Sequence, residues 1–391
     1  MLSVYISDRR GGTHVDSEAT SRYVDNMIEK VAVASKRIEV CYLFSYSSAF
    51  WGYWVHPAPN VRRLVVEGGN MADANLFGAE LTQLRKMSFS YGFLSLANSQ
   101  YLTSVEIRGG NQPISLNTFL DGFRGCEALE SLVLHAFDTL LVGDTPNPPT
   151  AFSLPNLRRL NLFYCDSRII LGYVTFVSLS EPLIIFNSTP YRDILHCIPQ
   201  NYRSTAFLQN LEKLQVILNS RRSQYSVSAY RGNGELALYI GVSDVASWLR
   251  RGWIRASFDA VACFRPFSTV YVLLIATDDI VRSWDPWLVS SHNLRYLNVT
   301  SPDTGELLRA LLTPDPETRL PVCRTLRTLA LHRCGRRTLI DYTNLKRVVL
   351  SRWTARSPLE QVVIHENEWK YMKYVDTSWV DLVGSQSTSR S

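Results

Sequence analysis

One six-residue phrase, apolar-x-x-apolar-x-apolar, recurs along this chain and limits what it can fold into more than any other feature. It appears as Val61-Arg-Arg-Leu64-Val-Val66, Leu84-Arg-Lys-Met87-Ser-Phe89, Leu102-Thr-Ser-Val105-Glu-Ile107, Leu129-Glu-Ser-Leu132-Val-Leu134 and Leu157-Arg-Arg-Leu160-Asn-Leu162. Further copies begin at Leu211, Phe267, Leu294, Leu326, Leu345 and Leu359, with a degenerate one at Ser35. The starting positions are mostly 14–32 residues apart, and two gaps of 54 and 56 read as double units. The missing copies are expected near Val174 to Leu179, or the following Leu183 to Phe186, and near Leu236 to Ile240.

A unit of 20–29 residues opening on this phrase is the leucine-rich repeat, which contributes one short parallel strand and returns by a helix or an irregular segment. The fourth and sixth positions are two apart, so they share one face of a strand and enter the core, while the third, fifth and seventh face outward. The expected fold class is therefore α/β. It is an irregular leucine-rich-repeat solenoid, with a parallel sheet on the concave face and helices and loops on the convex face. No unit can bury its apolar face alone, so neighbours must stack. Outward positions then carry any recognition: Arg63, Glu67, Lys86, Glu106, Arg108, His135, Arg159, Asn161, Phe163, Lys213, Tyr271, Tyr296, Asn298, His332 and Arg347. Arginine and aromatic residues are the usual hot-spot types.

Between the phrases, Met71 to Leu84, Ser115 to Cys126, Asp244 to Trp253 and Thr304 to Leu312 carry apolar residues at helical spacing, as in Leu116, Phe119, Leu120 and Phe123. Residues 1–34 read as an N-terminal extension with a capping helix over Thr20 to Ala34. Residues 35–366 read as the solenoid, with inserted loops near 143–150, 219–234 and 313–321, where turn and polar residues gather. Residues 367–391 read as a C-terminal cap, around Trp369 and Trp379, followed by a disordered tail.

With 391 residues, 46% of them apolar, the chain exceeds what one round core holds and is too rich in apolar side chains for bulk disorder. The formal charge is +6, and only 7 of the 41 basic residues are Lys, which leaves 34 Arg. These are scattered as isolated pairs such as Arg62-Arg63 and Arg336-Arg337, not as the stripe a nucleic acid requires, so nucleic acid is an unlikely partner. The start lacks a signal-peptide pattern, and the longest strongly apolar run, Val270 to Ala276, is too short for a bilayer. Seven dispersed cysteines fit reduced thiols. A cytoplasmic or nuclear protein without membrane contact is expected.

Ser3-Val-Tyr-Ile-Ser7, the capping helix leading into Ser35-Lys-Arg-Ile38 and repeats such as Pro155-Asn-Leu-Arg-Arg-Leu-Asn-Leu162 together resemble the leucine-rich-repeat half of fungal, mainly basidiomycete, F-box proteins. The likeness covers nearly the whole chain. It implies a receptor that selects a protein substrate for a cullin-based ubiquitin ligase. In that family an F-box docks on the Skp1 adaptor. No Leu-Pro-rich helical box occurs here, so the resemblance implies a Skp1 partner only if an F-box lies outside this chain.

Catalytic constellations are weak. The seven histidines show no H-E-x-x-H spacing, and His332-Arg-Cys334 with Cys323 lacks a second pair, so no metal is expected. His196 and Cys197 are adjacent and would point apart on a strand. Neither Gly109-Gly-Asn111 nor Gly232-Asn-Gly234 belongs to a phosphate-binding loop; both are turn signals. The expectation is a non-enzymatic recognition module without cofactor. A free-standing interaction scaffold is the alternative, and an enzyme with its site in the insertions is the remote one.

Overall fold

A strand with apolar residues two positions apart hides one face, and parallel strands in register stack those residues into rows. The computed structural model describes residues 2–8, 18–45, 48–68, 76–79, 81–90, 100–109, 114–136, 140–141, 151–177, 179–187, 192–199, 208, 210–219, 224–243, 245, 250–264, 267, 269–278, 281, 283–315, 319–333 and 340–364. It is a mixed α/β structure with large, mostly parallel sheet and short helices. Two compact units divide it, Met1–Ile185 and Phe186–Ser391.

The first unit begins β1 (Leu2–Asp8), α1 (Glu18–Val33), β2 (Ile38–Ser45), α2 (Ser48–Trp51), β3 (Arg63–Glu67), β4 (Lys86–Ser90) and β5 (Ser104–Arg108). It continues β6 (Ile114–Ser115), α3 (Leu116–Phe123), β7 (Ser131–His135), β8 (Leu140–Leu141), β9 (Phe152–Ser153), β10 (Arg159–Phe163), α4 (Ser167–Tyr173) and β11 (Val174–Thr175). The unit boundary falls inside β12 (Leu183–Asn187). The main sheet orders β1-β2-β3-β4-β5-β7-β10-β12, and every pair from β1 to β10 is parallel. Register aligns Cys41, Leu64, Met87, Val105, Leu132 and Leu160 in one inner row, and Leu43, Val66, Phe89, Ile107, Leu134 and Leu162 in the next. None of the twelve is more than 2% exposed, and each such side chain contributes about 1.5–3 kcal/mol. Helix α3 buries Leu116, Phe119, Leu120 and Phe123, as its spacing predicts.

The first apolar residue of the phrase has a separate task. Val61, Leu84, Leu129 and Leu157 each donate their N–H to the carbonyl three residues back, closing a tight turn just before the strand. One residue further on, the ladder begins: the carbonyl of Arg62 accepts from Arg85 and Lys86, that of Arg85 from Thr103 and Ser104, and that of Glu130 from Arg158 and Arg159.

The second unit holds β13 (Leu211–Asn219), β14 (Gln224–Arg231), β15 (Leu236–Val242), α5 (Arg250–Ala262), β16 (Val272–Thr277), α6 (Asp285–Ser290) and β17 (Tyr296–Ser301). It ends α7 (Gly305–Leu312), β18 (Thr328–Arg333), α8 (Tyr342–Thr354) and β19 (Gln361–Ile364). The order is β15-β14-β13-β16-β17-β18-β19. The three strands β13, β14 and β15 form an antiparallel meander, and β13, β16, β17, β18 and β19 pair in parallel in that order. The turn before the strand recurs at Val270, Leu294 and Leu326.

Several expectations need correction. The phrase at Leu345 lies inside α8, where Leu345, Val348 and Val349 are buried at helical spacing. The frames at Ser35 and Phe267 are each three residues early: Cys41 and Leu43 align with Leu64 and Val66, and Leu273 and Ile275 align with Leu214 and Val216. The region 219–234 is not a loop throughout, since β14 fills half of it. The strand at Leu236 to Ile240 is present but runs antiparallel to its neighbour β14. The missing copy of the first unit is β12, whereas Val174–Thr175 pairs only with Phe152–Ser153. Ser3 to Ser7 is not a bare extension, because β1 is a further parallel strand beside β2. Of the 313–321 loop, Pro314 and Pro321 form an antiparallel bridge. The 143–150 insertion and the 367–391 cap and tail lie outside the described residues. Among the described residues, no helix is long and apolar enough to cross a membrane.

Candidate functional site

Parallel register sets equivalent outward side chains side by side about 4.8 Å apart. In the first unit this produces three outward rows. The first holds Val40, Arg63, Lys86, Ser104, Ser131 and Arg159, and the second holds Tyr42, Val65, Ser88, Glu106, Val133 and Asn161. The third holds Phe44, Glu67, Ser90, Arg108, His135 and Phe163. All nine expected residues of this unit therefore share one face.

Four of them form a cluster. The Glu106 carboxylate accepts a hydrogen bond from Arg108 Nε at 2.9 Å, and its same oxygen lies 3.7 Å from His135 Nε2. The His135 ring stacks on Phe163 with centroids 4.6 Å apart and planes 10° from parallel. Partial burial of His135 holds its pKa below the usual 6.5; Glu106 opposes that shift and Arg108 adds to it. The imidazole is thus biased toward its neutral form beside a carboxylate and a guanidinium. Such a group can donate, accept and stack, which suits contact with polar and planar side chains of a partner.

Asn161 departs from expectation. It sits on the outward row yet is only 3% exposed. Oriented to satisfy its neighbours, its amide oxygen accepts from Arg159 Nε and Nη2, both at 3.1 Å, and its amide nitrogen donates to the Leu160 carbonyl at 3.1 Å. It therefore braces Arg159 and is not itself a contact surface. Arg159 Nε also lies 3.4 Å from Glu181. At the other end of the face, Tyr42 lies between Tyr5, 6.1 Å away, and the Arg63 guanidinium, 5.5 Å from the ring centre.

In the second unit Lys213, Tyr296, Asn298 and His332 do face outward, from β13, β17 and β18. Lys213 lies over the Tyr230 ring at 4.8 Å, and Asn298 Nδ2 reaches the Tyr296 hydroxyl at 3.5 Å. Two residues do not belong. Arg347 is carried by α8, not by a strand, because its phrase is helical. Tyr271 stands one position before β16; its hydroxyl donates to the Glu212 carboxylate, and Arg295 lies over its ring at 5.9 Å. That hydrogen bond raises the phenol above its usual 10.0.

The sequence reading missed Tyr42, Phe44, Val272 and Leu274, all outward, because the frames at Ser35 and Phe267 were three residues early. Tyr230 and Tyr239 were missed with the meander; the alternation of Tyr225, Val227 and Ala229 with serines was the available signal. Neither the known protein families nor the characterised proteins include a match to this sequence.

Proposed function

We propose that this chain is a non-catalytic protein-recognition module, an irregular leucine-rich-repeat solenoid that engages another protein through the outward face of its parallel strands. The observation that carries this reading is the strict alternation in the first unit. Two inner rows are wholly apolar, while the outward rows bring Tyr42, Arg63, Lys86, Glu106, Arg108, His135, Arg159 and Phe163 onto one surface. The turn repeated before seven of the strands, found in both units, supports the repeat assignment. A photo-crosslinking residue at Val133, beside the cluster, tests it. Partner adducts from that position, and none from exposed Arg124 behind α3, are expected; the reverse pattern refutes the reading.

The more specific role, substrate selection for ubiquitination, rests on the F-box resemblance. Retention of this chain on immobilised Skp1 supports that role. A failure of binding removes direct docking by this chain and favours a free-standing interaction scaffold.

A further inference from the structure

The second unit contains a groove of about 720 Å³ at the side where its strands begin. That volume lies within the range of ligand sites. Its lining includes Arg295, Arg324, Arg327 and Arg356, opposed by Asp315 and Glu360. Among the described lining residues, four guanidiniums against two carboxylates leave an excess of two positive charges.

The charges are not equally committed. Arg327 Nη1 already binds Glu360 at 2.8 Å, through a pair that is more than half exposed on both sides. Such pairs are weak and exchangeable. Arg295 lies against the Tyr271 ring, and no carboxylate pairs with it, with Arg324 or with Arg356 among the described residues. Arg295 and Arg327 occupy the same position on consecutive strands: the Arg327 N–H bonds the Arg295 carbonyl at 2.8 Å. Their forks therefore start from backbone positions one strand spacing apart, an arrangement that like charges disfavour unless an anion joins them.

Backbone strain marks the same place. Cys323 and Arg356, both lining the groove, have φ of +51° and +56°. This left-handed region is unfavourable for side chains other than Gly and collects at binding sites. Below, fully buried Arg352 fixes the wall by donating Nη2 to the carbonyls of Val322 and Cys323 at 2.6 and 3.1 Å.

We propose that this groove binds an acidic segment, rich in Asp or Glu, of a partner protein. Carboxylates suit it because one carboxylate, Glu360, already sits on one of its guanidiniums, and planar forks accept carboxylates with two parallel hydrogen bonds. The excess charge is confined to a single groove instead of a track, which favours a short acidic peptide over a nucleic acid. This surface is distinct from the outward strand face, so it stands or falls independently of that reading.

The test is fluorescence anisotropy of the full chain with labelled decaglutamate and with a ten-nucleotide thymidine oligomer, at low and at raised salt. The control variant is Arg324→Gln/Arg356→Gln, whose two exposed side chains make no contact that folding requires. Circular dichroism and the melting temperature confirm that the variant folds. Saturable decaglutamate binding that weakens about tenfold or more in the variant, and weakens with salt, is the expected result. Absence of decaglutamate binding, equal binding by the variant, or tighter binding of the oligonucleotide overturns the proposal. Arg124→Gln, an exposed position of the first unit away from the outward strand face, leaves decaglutamate binding unchanged; a loss there equal to that of the groove variant overturns it as well.

Discussion

Substituting Gly109 by Ala tests how the candidate cluster is held. Gly109 follows β5, and its N–H donates to the His135 carbonyl at 2.6 Å. The next residue on the neighbouring strand, Ala136, donates to Phe163 at 2.7 Å. A Cβ on Gly109 would lie 1.8 Å from the Ala136 carbonyl oxygen, well inside the 3.0 Å that real Cβ atoms respect. The carbonyl must therefore retreat by about 1.2 Å, and it is backbone, so no rotamer change relieves the overlap. Losing or stretching these two ladder bonds costs about 2–4 kcal/mol. For a unit of this size that is a fall of about 5–15 °C in melting temperature. The assay is thermal unfolding by circular dichroism, with urea denaturation as the second measure. Ala136→Gly supplies the contrast. Ala136 has φ of +50°, a left-handed conformation that costs an L-residue about 1–2 kcal/mol, so glycine there stabilises by up to about 1 kcal/mol after its greater unfolded-state entropy. It does not rescue Gly109→Ala, because the clash is with the carbonyl. A Gly109→Ala melting temperature within about 2 °C of the parent refutes this account of the strand ends.

Leu134→Ala, on an inner row, costs about 2–5 kcal/mol, whereas Val133→Ala, its half-buried outward neighbour, costs under about 1 kcal/mol; urea midpoints in the opposite order contradict the alternation. In NMR titration, His135 has its midpoint below 6.5, lower still in Glu106→Gln and higher in Arg108→Gln. Because its folded pKa is depressed, the unfolded chain binds the proton more readily, so stability falls as pH drops below 6.5 through the folded pKa. A midpoint above 6.5 refutes the burial argument. Among the described cysteines, iodoacetamide at pH 8 modifies exposed Cys263 first, while Cys41 and Cys323, pushed up to about 12 by burial, and Cys126, pushed up to about 11, react only on unfolding. Mass spectrometry that finds Cys41 alkylated in the native chain refutes that order.

The sheet was legible where two branched apolar residues two apart stand out from polar neighbours, as at Leu160 and Leu162 beside Arg159 and Asn161. It failed where that contrast is missing. From Val270 to Ala276 every residue is apolar or aromatic, so period two cannot be read and the frame slipped by three. At Ser35 the true fourth position is Cys41, whose small side chain hides the phrase Ile38-Glu-Val-Cys41-Tyr-Leu43. The phrase at Leu345 satisfies two periods at once, since a spacing of three belongs also to helices. The deciding signal was Asp341, which caps α8 by accepting the Asn344 N–H at 3.0 Å. Pairwise contacts such as Glu106 with His135 and His135 with Phe163 follow from register between strands 27 and 28 residues apart, which no single-strand pattern reveals.

The two units differ in the side chains that their outward rows carry. In the first, charge stands on the strands themselves, at Arg63, Lys86, Glu106, Arg108 and Arg159, between aromatic rings. In the second, the corresponding rows carry Val272, Leu274, Ala276, Ala330 and Val363, half-buried or buried, beside Lys213, Tyr296, Asn298 and His332. The strand-start position of the ladder also carries charge, at Glu212, Arg295, Arg327 and Glu360, with Tyr271 between the first two, as it does at Arg62, Arg85, Glu130 and Arg158 in the first unit. A charged side chain at that position leaves the plane of the sheet and reaches the strand-start side, where the groove opens. On the proposed recognition reading, a partner that selects by charge alone engages the groove of the second unit, and one that selects by charge and stacking together engages the first unit across its strands.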